Sequence, residues 1–124
     1  MALFLDSANL DEIRAGMELG IYAGVTTNPL LMSEITPGDR LEHYGEIARI
    51  CRKSIYLQVD GRSISEMLDQ ALTLVEVAPG RTIIKVPMTT DGLQLCQKLR
   101  SNSVPACVTA VFAPTQAFAA ASAG

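Results

Sequence analysis

Apolar residues come in short bursts along this chain, and between the bursts they recur every three or four positions. Leu3-Phe4-Leu5 stops at Asp6 and predicts a first strand. Asn9 then caps a helix, with Glu12 three residues on completing a capping box. Leu10, Ile13 and Met17 share one face of that helix, and Gly20 ends it. Ala23 to Thr26 is the next strand-like run, closed by Thr27-Asn28-Pro29. A turn at Thr36 to Asp39 leads into a second long helix, with Leu41, Tyr44, Ile47, Ala48 and Cys51 on its apolar face.

The same alternation continues to the last residue. Ser54 to Val59 reads as a strand, and Ser63 with Glu66 forms another capping box before a helix faced by Met67, Leu68, Ala71, Leu72 and Val75. Pro79-Gly80 stops that helix. Arg81 to Val86 predicts a fourth strand, Thr90 to Arg100 a helix, and Pro105 to Val111 a fifth strand. Pro114 opens an Ala-rich helix running to Ser122. Five βα units in residues 1–124, unbroken by linker or repeat, predict a single domain with a parallel sheet under helical cover. Two architectures fit: an open, doubly wound five-stranded sheet, and part of a TIM (β/α)8 barrel. A whole barrel takes about 250 residues, so 124 residues supply about half of one. Length alone favours the open sheet.

Composition narrows the function. With 48% hydrophobic residues the chain has material for a packed core. Ten basic against thirteen acidic residues give a net charge of −3, without the basic footprint that nucleic acid requires. No apolar run approaches the ~18 residues of a membrane span. Cys51, Cys96 and Cys107 fit neither a CxxC pair nor a metal-ligand pattern, and read as reduced, mostly buried thiols of a cytoplasmic protein. His43, in a polar helical stretch, reads as a surface residue, and no metal site is expected around it.

Sites in parallel α/β folds gather where strands end. Here those ends carry Asp6, Thr26 to Asn28, Gln58 with Asp60, Lys85, and Thr109. Alternation along a strand places Ile83 with Lys85 on one face, and Cys107 with Thr109. Lys85 is the most informative residue, because both of its neighbours are apolar. An ammonium buried there without a partner loses hydration, its pKa falls, and the neutral amine can attack a carbonyl to form a Schiff base. The plainer reading is a lysine snorkelling to solvent. Asp6 on a facing wall would serve as acid/base for such an amine, and the amides of Asn28 and Gln58 would bind hydroxyls without disturbing it. Thr109 would hold a water or a hydroxyl.

Leu5-Asp6-Ser7-Ala8-Asn9, Gly24-Val25-Thr26-Thr27-Asn28-Pro29 and the stretch from Ile84 to Leu93 resemble the small transaldolase and fructose-6-phosphate aldolase family. Val108-Thr109-Ala110-Val111-Phe112 is similar to its fifth strand, and the motifs keep the family's order and spacing. The resemblance implies a (β/α)8 class I aldolase that needs no metal or other cofactor. It assigns the Schiff base to Lys85, general acid/base work to Asp6, orientation of the intermediate to Asn28, and the catalytic water to Thr109. Thr26 and Thr27 join Asn28 as candidate substrate-binding residues. Gln58 stands where transaldolases carry Glu and the aldolase branch carries Gln, which leans toward direct aldol cleavage or formation on a ketose phosphate or free ketone.

Leu30 and Ala113-Pro114 depart from the family pattern. The chain is also expected to stop before the sixth strand, without the Tyr or Phe, Arg and Ser positions that orient water and bind phosphate. That implies a truncated barrel, or a half that assembles with another copy or a complementing C-terminal chain. Two rivals stand beside the enzyme: a non-catalytic half-barrel that only assembles, and a receiver-like phospho-acceptor domain. The second is poorly matched, since Asp6 has no adjacent acid and Lys85 is on the fourth strand.

Overall fold

The computed structural model describes residues 1–35 and 39–124. Its elements run β1 (Leu3–Asp6), α1 (Leu10–Glu18), β2 (Tyr22–Thr26), α2 (Pro29–Ile35), α3 (Arg40–Ile50), β3 (Ser54–Gln58), α4 (Ile64–Val75), β4 (Thr82–Pro87), α5 (Thr90–Ser101), β5 (Ala106–Thr109) and α6 (Pro114–Ala123). The turn expected from Thr36 lies outside the described residues up to Asp39. There the carboxylate caps α3 by accepting from the Leu41 amide at 2.8 Å.

All strand pairs are parallel, in the order β1-β2-β3-β4-β5. A doubly wound sheet reverses its winding and shows orders such as 2-1-3-4-5. Here every strand pairs with its neighbours in sequence, and the winding never reverses. Right-handed crossovers then put the helices on one face, and the sheet curls into a half-barrel. This overturns the open-sheet alternative, and with it the receiver-like reading. Length misled because a part-barrel and a complete open sheet can have the same number of residues.

The two sheet faces differ in burial with a period of two. On β4, Thr82, Ile84 and Val86 are buried, whereas Ile83, Lys85 and Pro87 are only half-buried. On β3 the buried pair is Ile55 and Leu57. The buried set meets Ile13, Met32, Ile47, Leu95 and Leu99 from the helices to form the core. The opposite, inner face has an aromatic floor, where the rings of Phe4 and Tyr56 meet edge to face at 5.0 Å. They lie on β1 and β3, and Gly24 of β2 lets them meet between. A Cβ there would overlap the Ser54 carbonyl oxygen and press on the Phe4 ring.

Several local expectations change. The Asn28 side chain accepts from the Leu31 amide at 3.0 Å and starts α2, a short helix the apolar pattern did not announce. Pro29 suits its first turn. On α4 the buried stripe is Met67, Ala71 and Leu74, while Leu72 is exposed. Strand β5 ends at Thr109 because Ala110 takes a left-handed φ of 61°. His43 is buried, which corrects its reading as a surface residue. It stands one turn before Ile47 on the packed face of α3, and its Nε2 lies 2.7 Å from the Ala8 carbonyl oxygen. Among the described residues, no helix is long and apolar enough to cross a membrane.

Candidate active site

The first wall of the site is the end of β1. Ser7 is buried just beyond Asp6, and its hydroxyl donates to the Glu12 carboxylate at 2.6 Å while accepting from the Asn9 amide at 3.1 Å. Asn9 in turn accepts from the amides of Asp11 and Glu12. The predicted capping box therefore closes through Ser7, one link longer than the sequence suggested. His43 holds the Ala8 carbonyl from the α3 side. The loop after Asp6 is thus fastened on both flanks, while the Asp6 side chain itself is exposed on the inner face.

Asp6 and Thr26 are Cα partners in the β1–β2 ladder, and the Thr26 hydroxyl donates to Asp6 Oδ1 at 2.5 Å. Thr27 points the other way. It is fully buried, and its hydroxyl donates to the Tyr56 carbonyl at 3.1 Å. Its backbone carbonyl, however, faces the site and accepts from Lys85 Nζ at 2.9 Å. Asn28, half-buried, has its side-chain oxygen engaged in capping α2.

Gln58 and Lys85 are Cα partners across β3 and β4, so the amide and the amine emerge side by side on the inner face. Lys85 pairs in turn with Cys107, and Pro87 with Thr109. Thr109 is half-buried, and its carbonyl accepts from the Met88 amide at 2.9 Å, which ties the β4 and β5 ends together. Lys85 differs from the expectation of a sealed, unpartnered ammonium. It is half-buried and holds the Thr27 carbonyl, because its face of the sheet opens to solvent instead of facing helices.

Charge at the site is sparse. Among the described residues, the ion pairs within 4 Å are Arg14–Asp11 and Arg40–Asp60, and His43 Nδ1 lies 3.9 Å from the Glu46 carboxylate. The Lys85 ammonium and the Asp6 carboxylate share a face without pairing, which leaves both for a third party. Burial raises the Tyr56 phenol above its ordinary pKa, and nearby Cys107 adds to the effect. Gln58 also borders a cleft of about 650 Å³ lined by Tyr44, Arg40, Asp60, Gln70 and Thr73, which the sequence reading missed. Asp60, only two residues past Gln58, was the available signal. Burial likewise raises the Tyr44 phenol.

A parallel, singly wound sheet with a lysine, a carboxylate, an amide and hydroxyls at the C-terminal ends of its strands defines the class: a (β/α)-barrel protein whose inner face carries polar chemistry. The chain belongs to the transaldolase/fructose-6-phosphate aldolase family, whose model matches residues 3–124. A probable transaldolase of Nitrosopumilus maritimus is 40% identical over 126 residues, covering 100% of this chain and 55% of its own length. One from Aquifex aeolicus is 40% identical over 124 residues, with 100% and 56% covered. One from Chlorobium chlorochromatii is 36% identical over 131 residues, with 100% and 59% covered. The chain therefore spans between half and three-fifths of the length of these relatives.

Proposed function

We propose that this chain carries the Schiff-base half of a class I aldolase or transaldolase site acting on ketose phosphates such as fructose 6-phosphate. The observation that supports this best is the placement of Lys85 Nζ on the inner face beside Gln58, with the unpaired Asp6 carboxylate on the same face. The Lys85 ammonium gives up one proton, the resulting amine adds to the keto carbon, and the carbinolamine hydroxyl takes up that proton and leaves as water to give an iminium. Asp6 takes the proton of the C4 hydroxyl, the C3–C4 bond breaks, and its electron pair flows into the iminium to leave an enamine. The aldehyde departs. The enamine then attacks an acceptor aldehyde, or is protonated and hydrolysed. Asn28 and Thr109 orient the intermediate and the water in this scheme, and the step calls on no metal or cofactor. Three free thiols suit a reducing, cytoplasmic setting.

The two branches part once the C3–C4 bond is broken. The relatives are named probable transaldolases, whereas Gln58, the residue that the resembled aldolase branch carries at this strand end, leans toward direct aldol chemistry. As a neutral amide it is a poorer base than a carboxylate, which changes how the water is activated. Fructose 6-phosphate alone tests the direct reaction, which releases glyceraldehyde 3-phosphate and dihydroxyacetone. Transfer releases glyceraldehyde 3-phosphate in quantity only when an acceptor aldose phosphate is added. Lys85→Arg is expected to abolish either product, because a guanidinium stays protonated. Product formation by that variant contradicts the lysine's role.

A second reading is favoured by the sheet itself. Strands β1 and β5 are its two edges, and its inner face is open. Such a half-barrel would assemble with another copy, or with a complementing segment that covers the edges. Lys85→Ala is then expected to leave assembly unchanged.

A further inference from the structure

Asp6 is an exposed carboxylate on an edge strand, where a side chain normally samples several rotamers. A general base that wanders cannot hold a reacting proton within hydrogen-bonding reach. Thr26 changes this. It is the Cα partner of Asp6 on β2, and its hydroxyl meets Asp6 Oδ1 at 2.5 Å, the short range of a charge-assisted O–H···O⁻ bond. Threonine is β-branched and stiff at χ1, so the donor is fixed relative to its own strand. The backbone beneath is also stitched, with the Ser7 amide donating to the Thr26 carbonyl at 3.1 Å. A rigid donor on a rigid strand thus reaches a single oxygen of the carboxylate. Among the described residues, Oδ2 has no hydrogen-bond donor.

We infer that Thr26 is a positioning residue that holds Asp6 by Oδ1 and aims Oδ2 at the reacting proton. This rests on the Schiff-base reading and assigns Thr26 a role other than substrate binding. Its one hydroxyl proton is committed to Asp6, so it has none to donate to a sugar hydroxyl. The bond splits the carboxylate into an anchored oxygen and a working one. Capture of the ketone by Lys85 does not need this, but cleavage of the C3–C4 bond does.

The test uses the full chain with Thr26→Val, which keeps shape and removes the hydroxyl, and Thr26→Ser, which restores it. Three-bond couplings to the Asp6 carboxyl carbon, measured by NMR without substrate, are expected to report one rotamer in the parent and in Thr26→Ser, and averaging in Thr26→Val. With fructose 6-phosphate, Thr26→Val is expected to slow cleavage by about tenfold to a hundredfold, well beyond any fall in borohydride-trapped adduct on Lys85. A single Asp6 rotamer in Thr26→Val, or capture falling as far as cleavage, overturns the inference. Absence of adduct in the parent chain overturns the Schiff-base reading instead, and the NMR arm still decides whether Thr26 positions Asp6.

Discussion

Lys85, Thr26 and Thr27 show how finely a strand end separates roles. Thr26 and Thr27 are adjacent, yet one hydroxyl meets the carboxylate of Asp6 and the other is buried against the Tyr56 carbonyl. Ala110, just past Thr109, carries the cost of a left-handed backbone on a residue with a Cβ. Ala110→Gly is expected to stabilise the chain by about 0.5 to 1 kcal/mol, read from urea midpoints. A lower midpoint contradicts that account of why β5 stops. Two buried acids contribute to the loss of stability at alkaline pH. Burial raises the Cys96 thiol above its ordinary value of 9.0 and the Tyr44 phenol above 10.0. The folded state therefore keeps these protons longer than the unfolded chain does. The stability they contribute is full below the ordinary values and is lost as pH rises toward the raised ones. Urea unfolding followed upward from pH 8 is expected to show falling stability, with a shallower fall in Tyr44→Phe. An equal slope in that variant removes Tyr44 from the account.

Element by element, the chain's pattern and its structure agree where one force acts alone. Asn9 caps α1 as its spacing predicts, and Asn9→Ala is expected to cost about 1 kcal/mol in thermal or denaturant unfolding. A change within a few tenths contradicts the cap. Gly24 is a harsher case, because its absent Cβ makes room for the Ser54 carbonyl and the Phe4–Tyr56 contact. The strands and long helices were legible because period-two and period-3.6 patterns reflect burial on one face. Helix α2 was not, since Asn28 and Pro29 read equally well as a turn, and its seven residues are too few to show a period. His43 was misread because a polar side chain on a packed face satisfies itself through the Ala8 carbonyl, a partner thirty-five residues away. At the site, alternation grouped Lys85 with Ile83 and Thr109 with Cys107 on one face of each strand. The Lys85–Thr27 and Thr26–Asp6 bonds depend on register between strands, which no single strand's sequence contains.

At the scale of the whole molecule, sequential parallel winding joins fold to chemistry, because it brings the ends of β1 to β5 to one rim. Among the described residues β1 and β5 are edge strands and the inner face is open, so a half-barrel that assembles as proposed is expected to associate as concentration rises in sedimentation velocity runs. A monomer throughout contradicts the view that these edges need a partner. The chemistry proposed for that rim depends on the Lys85 amine meeting a ketone. The most direct measurement is to incubate the purified chain with dihydroxyacetone and borohydride, digest it and weigh the peptides. One reduced adduct is expected, confined to the peptide carrying Lys85 and lost in Lys85→Arg. An unmodified Lys85 peptide, or an adduct that persists in the arginine variant, contradicts the central claim.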